Sequence, residues 1–328
     1  MVSKKTLLAG SGAVFLGFAG CEPAPEGVEY PSFTGATGCQ IEQITTSEFG
    51  ASQFQGVSRD GKWLSYNLAK ADSGPSFSVL MNLETGEAET LPEGFNNTGN
   101  FSADNKTLVA AVSLEDGTTD IVEINLKTHE TTTIAGAPGY DWLSSYSPDQ
   151  RSIAFNSFRT GNAEIYLYDR ESGALKQLTD DPRYDAHTEF SPDGSKIMFN
   201  RMNAYHENGS YDFDLISYDL ATGEETRLTD LPYEESYGSW APDGQHLVFS
   251  SDKDLSPELK TSEDPEVRNL YVMAPDGKIL ARLTRGKWND GYGYWMRDGS
   301  YIYFNSDRFG NGDIFRMPMN GLNCVQDR

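Results

Sequence analysis

The 328-residue sequence is poor in the residue types on which nucleic-acid-binding proteins and most metalloenzymes depend. It has 26 Lys and Arg against 49 Asp and Glu, a net charge of -23. This excludes a nucleic-acid partner, because phosphate contacts need clustered basic side chains. It has 4 His and 3 Cys, and no CxxC, HExxH, EF-hand or G-x-S-x-G motif. We therefore predict no catalytic residue, resident metal or cofactor.

Long apolar runs are absent except at the N-terminus. Lys4 and Lys5 precede an apolar run from Thr6 to Ala19, which is too short to span a bilayer. The run ends in Phe-Ala-Gly-Cys, so residues 1–21 resemble a bacterial lipoprotein signal peptide with a lipidated Cys21; an ordinary signal peptide cleaved nearby is the alternative. Residues 22–38, dominated by Pro, Gly and Glu, are predicted to be a flexible tether. The protein would then be anchored to a membrane without spanning it.

The chain does contain a repeat. A four-residue turn recurs six times at intervals of 44 to 55 residues, as SRDG at 58–61, SADN at 102–105, SPDQ at 147–150, SPDG at 191–194, APDG at 241–244 and MRDG at 296–299. Ser, Pro and Asp favour a type I turn, and Gly or Asn accepts the left-handed position that follows. The six Asp residues are therefore interpreted as turn formers, not catalysts.

Strand patterns fill each interval between these turns. Alternating segments such as Lys196–Phe199 and Glu164–Tyr168 are typical of strands, and four strands fit a unit of this length. We predict an all-β fold for residues 39–328, a six-bladed β-propeller with four antiparallel strands per blade. The last unit lacks a fourth strand. Because Ile41–Thr45 matches the closing strand Leu175–Thr179, the N-terminal strand is predicted to complete the last blade.

Two of the three cysteines lie where this ring would close. Cys39 immediately precedes the N-terminal strand, and Cys324 lies just past the last hairpin. We predict a disulfide between them, which suits an oxidising envelope compartment.

The turns, together with segments such as Ile302–Arg308 and Gly312–Phe315, resemble the propeller repeats of the TolB family over residues 39–324. TolB carries an α/β domain ahead of its propeller, for which residues 1–38 leave no room. The resemblance implies an envelope propeller that binds another protein, as TolB binds a peptidoglycan-associated lipoprotein. It places the protein on the periplasmic side of the outer membrane or at the cell surface.

One set of positions is enriched in acidic residues. Eight residues before the six turn Asp residues stand Ser52, Asn96, Asp141, Asp185, Glu235 and Asp290. They should begin the innermost strands at one mouth of the central channel, close to His187, Tyr140, Trp142, Tyr184, Tyr237, Trp288 and Tyr292. Such a ring is predicted to bind a basic peptide, an ammonium group or a cation such as calcium, with a solvated polar rim as the alternative. Two insertions, 201–212 and 252–268, are predicted on this same face, opposite the turns.

Three functions are compatible with these observations. The leading hypothesis is a non-enzymatic binding module for an envelope protein or basic peptide. The second is a metal-dependent lyase or hydrolase-like enzyme, with His187, Asp185 and Glu189 as its minimal ligand set. The third is a purely structural subunit of an envelope assembly.

Overall fold

A computed structural model of the protein describes residues 41–46, 52–69, 76–206, 211–231, 233–253, 267–310 and 312–319. The predicted signal peptide, the predicted tether and the cysteines Cys21, Cys39 and Cys324 lie outside these residues. No helix in the described ranges is long and apolar enough to cross a membrane.

Within the described residues, 24 strands form six four-stranded antiparallel sheets, which confirms the predicted six-bladed propeller. From the innermost strand outward, the blades are: blade 1, β2 (Ser52–Val57), β3 (Trp63–Leu68), β4 (Phe77–Asn82) and β5 (Ala88–Thr90); blade 2, β6 (Phe95–Phe101), β7 (Thr107–Ser113), β8 (Thr119–Asn125) and β9 (Thr131–Ala135); blade 3, β10 (Asp141–Tyr146), β11 (Ser152–Ser157), β12 (Glu164–Asp169) and β13 (Leu175–Gln177); blade 4, β14 (Asp185–Phe190), β15 (Lys196–Tyr205), β16 (Tyr211–Asp219) and β17 (Glu225–Arg227); blade 5, β18 (Glu235–Trp240), β19 (Leu247–Ser251), β20 (Asn269–Met273) and β21 (Ile279–Arg282); blade 6, β22 (Gly291–Trp295), β23 (Tyr301–Ser306), β24 (Asp313–Pro318) and β1 (Glu42–Gln43).

The recurring turns join the two innermost strands of every blade. In blade 3, the Ser147 hydroxyl donates to Asp149 at 2.6 Å, and the amide of Ser152 donates back to the Ser147 oxygen at 2.9 Å. Asp149 is therefore a turn former, as predicted. Gln150 replaces the usual Gly at φ 65°. Its side chain offsets the strained backbone by donating to the Ser147 carbonyl at 3.0 Å and accepting from Ala103 of blade 2 at 2.9 Å.

The N-terminal strand closes the ring. β1 pairs antiparallel with β24, with Glu42 opposite Arg316 and Gln43 opposite Phe315. Thr45 then donates to Asp313 at 3.0 Å and accepts the amide of Ile314 at 2.9 Å. Thr179 makes the equivalent pair of contacts in blade 3. The predicted completion of blade 6 by this strand is confirmed.

The core is divided among the six blade interfaces. Each hydrophobic cluster combines residues from two neighbouring blades, so that Val109 and Ile121 of blade 2 pack against Tyr146 and Phe155 of blade 3. A single four-stranded sheet cannot bury both of its faces, and radial repetition does this for every blade. The innermost strands start at one end of the channel and finish at the other. We call the end bearing the recurring turns the turn face and the opposite end the loop face.

Candidate functional site

The predicted acidic ring is not an open mouth of the channel. Asp141, Asp185, Glu235 and Asp290 are all buried, with at most 1% of each residue exposed, and none of them lines the central cavity. Burying a charged side chain costs on the order of several kcal/mol of free energy unless the charge is paired or hydrogen-bonded. The expectation of a solvent-facing ring is therefore corrected.

Arginines account for the burial of three of these carboxylates. Arg159 contacts Asp141 at 2.9 Å and Arg308 contacts Asp290 at 2.7 Å, in each case from 18 residues further along the chain. The guanidinium of Arg201 holds Asp185 through two hydrogen bonds of 2.8 and 2.7 Å. Burial raises the pKa of Asp185, and Arg201 opposes that shift. These pairs tie the start of an innermost strand to the end of its neighbour and serve the fold.

The fourth carboxylate has a different environment. Glu235 accepts from the Ser251 hydroxyl at 3.2 Å, and burial, together with nearby Asp214 and Asp252, raises its pKa to about 8. The proposed ligand set of the enzyme hypothesis also does not assemble, because Asp185 faces Arg201 while His187 faces the channel. No cluster of three or more His, Cys, Asp or Glu side chains suited to a metal ion occurs among the described residues.

A cavity of about 350 Å³ occupies the channel towards the turn face. It is lined by bulges in the innermost strands of blades 3 to 6, where the register shifts by a residue. At each bulge one residue, six before the turn Asp, has a left-handed backbone; these are Leu143 (φ 54°), His187 (φ 61°), Tyr237 (φ 54°) and Tyr292 (φ 54°). Such strain costs roughly 1–3 kcal/mol per residue and clusters at binding sites, and bulges re-aim side chains.

Three of these side chains form the floor of the cavity. The rings of Tyr237 and Tyr292 stack at 3.8 Å with their hydroxyls 3.0 Å apart, and His187 meets Tyr237 edge-on at 4.6 Å. The guanidinium of Arg268 lies 5.4 Å from the Tyr237 ring centre on its other side. Burial and the charge of Arg268 lower the pKa of His187 to about 3, so this imidazole is neutral at physiological pH.

The walls carry polar atoms that are buried but not satisfied. Thr98 Oγ1, Ser144 Oγ, Ser145 Oγ and Trp240 Nε1 all belong to cavity-lining residues at least nine-tenths buried. Each has no hydrogen-bond partner within the described part of the chain. Buried polar groups are normally hydrogen-bonded, so this density of unsatisfied donors and acceptors marks a surface suited to a polar ligand.

The rim at the turn face is basic and surrounds one half-buried acid. Glu189 accepts from the Ser239 hydroxyl at 3.1 Å, and burial raises its pKa to about 8, so this carboxyl is largely protonated at neutral pH. Arg297, which lines the cavity at its mouth, is exposed. Arg59 lies near Arg297, and both partial burial and the like charge of Arg297 lower the pKa of Arg59. The Arg59 guanidinium also donates a hydrogen bond to the Pro148 carbonyl at 2.8 Å. The mouth therefore favours an anionic group.

The sequence-predicted aromatic residues separate into two places. Tyr237 and Tyr292 join His187 in the cavity, whereas Tyr140, Trp142 and Tyr184 lie at the loop face in contact with other rings. Trp288 belongs to neither group and has the Lys287 ammonium 5.3 Å from its ring centre. The cavity lies towards the turns, at the opposite end of the channel from the predicted site.

A family model described as the TolB beta propeller domain matches residues 52–264. The chain belongs to this family. The TolB propeller of this protein is similar to a crystal structure of TolB from Acinetobacter baumannii, with 25% identity, a TM-score of 0.57, and coverage of 72% of this chain and 54% of that one. It thus spans about half the length of that TolB.

Two further solved structures share the propeller fold. A putative TolB from Agrobacterium tumefaciens is 19% identical with a TM-score of 0.59, covering 85% of this chain and 96% of that one. An oligogalacturonate lyase from Vibrio parahaemolyticus is 16% identical with a TM-score of 0.54, covering 85% and 93%. At these identities the likeness is one of architecture, since one propeller fold carries many functions.

Proposed function

We propose that this TolB propeller is a non-catalytic binding module that holds a segment of an envelope protein in its turn-face cavity. The observation that carries the proposal is the set of buried, unsatisfied polar atoms around a cavity with a strained aromatic floor. The backbone donors and acceptors of a polypeptide segment suit a polar wall that contains Thr98, Ser144 and Ser145. Because the cavity is within the usual size range of ligand sites, a few inserted side chains fit it.

The charge of the rim indicates which charge the bound segment should carry. Arg297 and Arg59 present two cations at the mouth, whereas Glu189 just inside is largely protonated at neutral pH. The segment is therefore expected to carry an acidic side chain, or a chain-terminal carboxylate, next to the part that enters the cavity. This arrangement gives specificity chiefly through electrostatic complementarity.

The envelope location and membrane anchor are part of the same proposal. The lipobox-like sequence ending in Cys21 and the following Pro- and Gly-rich residues support a lipidated, tethered propeller. Replacing Cys21 by Ser should move the protein from the membrane fraction to the soluble fraction. A variant that stays with the membrane would contradict lipid anchoring at this residue.

The binding proposal is tested by reversing one rim charge. Arg297→Glu should abolish co-purification of the partner from native envelopes, because the rim then repels an acidic segment. Arg285→Glu is the matched control, since Arg285 is also exposed but follows β21 at the loop face. Equal retention of partner by both variants would contradict the cavity as the binding site.

A further inference from the structure

A continuous band of aromatic rings crosses the loop face of blades 3 and 4. Successive members contact one another, with ring centres 5.0 to 6.4 Å apart along the whole series. In order, the aromatic band is Tyr140, Trp142, Phe158, Tyr184, Phe213, Tyr211 and Tyr205. None of these residues lines the turn-face cavity, so the band is a separate feature.

The band is exposed at its two ends, and its four middle rings are half-buried. Tyr140 is 53% exposed at one end, while Tyr205 and Tyr211 are 64% and 41% exposed at the other. Tyr205 and Tyr211 lie at the distal end of the long β15–β16 hairpin, which extends beyond the strands of neighbouring blades. Partly exposed aromatic rings that contact one another in a series form an apolar surface of the kind that marks interaction sites.

Acidic side chains flank the band. Glu115 and Asp116 are exposed in the β7–β8 turn, next to the strand whose first residue, Thr119, bridges to Tyr140. Hydrogen bonds from Thr118 lower the pKa of Asp116, so it is charged at neutral pH. Exposed Asp180 lies just before Tyr184, and the nearby base Arg183 is held by Asp181 at 2.8 Å. The flanking surface thus adds local negative charge to a chain whose net charge is -23.

Exposed aromatic rings flanked by acidic side chains favour a cationic ligand. Arg and Lys side chains stack on such rings by cation–π attraction, and the flanking carboxylates steer and hold the same cations. The propeller itself uses this contact, with Arg159 4.8 Å from the Tyr166 ring centre and Arg308 5.0 Å from that of Phe315. We propose that the aromatic band is a second binding site, for a basic polypeptide segment rich in Arg or Lys.

The test uses the mature protein and a synthetic peptide of arginines spaced by Gly and Ser, with affinity measured by calorimetry. Tyr140→Ala/Tyr211→Ala should weaken binding about 10-fold, since each exposed cation–π contact is worth a several-fold change in Kd. Tyr205→Ala alone should weaken it roughly 2- to 5-fold, and this terminal ring is exposed enough for its loss to leave folding intact. Phe309→Ala is the matched control, because Phe309 is 72% exposed but lies in blade 6, outside the band.

Further comparisons test the role of the acidic residues and the location of the site. Glu115→Gln/Asp116→Asn should weaken peptide binding at low salt and make no difference at high salt, where screening removes the same attraction. Because no residue of the band lines the turn-face cavity, dependence of peptide binding on Tyr140 and Tyr211 separates this site from the cavity. Unaltered binding by Tyr140→Ala/Tyr211→Ala would overturn the proposal. A second result would also overturn it: the protein binds cellohexaose through the band, independently of salt, and does not bind the peptide. The band would then be a glycan site.

Discussion

The buried Asp185–Arg201 pair allows a prediction that separates a structural role from a binding role. Asp185 is fully buried and accepts two hydrogen bonds from Arg201, which is itself 5% exposed and also contacts Glu225 at 2.6 Å. Asp185→Asn preserves the volume but removes the charge that compensates the guanidinium. Breaking a buried ion pair lowers the free energy of unfolding by about 3–5 kcal/mol. Because Arg201 keeps its contact with Glu225, we expect a loss near the lower end, about 3 kcal/mol.

The assay is thermal unfolding followed by circular dichroism at neutral pH. For a domain of this size, about 3 kcal/mol corresponds to a fall in Tm of roughly 6–12 °C. Asp193→Asn is the control on the same blade, because Asp193 is exposed and only its turn hydrogen bonds are lost; we expect a loss of about 1 kcal/mol. A Tm for Asp185→Asn within error of wild type, accompanied by loss of a ligand, would refute the structural assignment and restore the acidic ring as a binding site.

Two other predictions follow from the same structure, and a third follows from the sequence. Gly99→Ala should cost about 3 kcal/mol, because its Cβ would lie 1.9 Å from a backbone carbonyl oxygen of blade 3, whereas Gly291→Ala, with nothing nearer than 3.8 Å, should unfold like wild type; equal stabilities would contradict this packing. The raised pKa of Glu189, about 8 against 4.5, means that stability falls as pH rises from about 4.5 to about 8; Glu189→Gln should reduce that slope in Tm, and an unchanged slope would show that Glu189 titrates normally. Thiol titration of the folded protein should find Cys39 and Cys324 unreactive, as expected for a disulfide, and two reactive thiols would contradict the pairing.

The architecture was predictable because its signals are local and repeated. Every turn has Asp at its third position, and four of the six have Ser two residues earlier, as the Ser147–Asp149 contact illustrates, so six copies reveal six blades. Ring closure was predictable for a related reason. Thr45 reproduces the sequence context of Thr179, and it makes the same two contacts to the third strand of its blade.

The candidate site was predicted only in part, because it depends on pairings and backbone angles. The acidic positions were interpreted without the arginines that pair with them, although Arg159 and Arg308 both stand 18 residues after the Asp that they contact. That constant spacing is the signal that could have identified buried ion pairs. His187 lines the cavity towards the turn face rather than the predicted mouth, and the left-handed backbone at Leu143 leaves no mark in a β-strand sequence, so this cavity could not be inferred.

The central claim is that a partner segment enters the cavity from the turn face, and site-specific photo-cross-linking in intact cells tests it most directly. A photoreactive residue in place of Pro242, which lines the cavity from the recurring turn of blade 5 and leaves Arg297 intact, should form an adduct with an envelope protein through a segment that contains an acidic residue. The same residue in place of Arg285, at the loop face, should not capture that protein. Capture of the same protein from position 285 but not from position 242 would contradict the account.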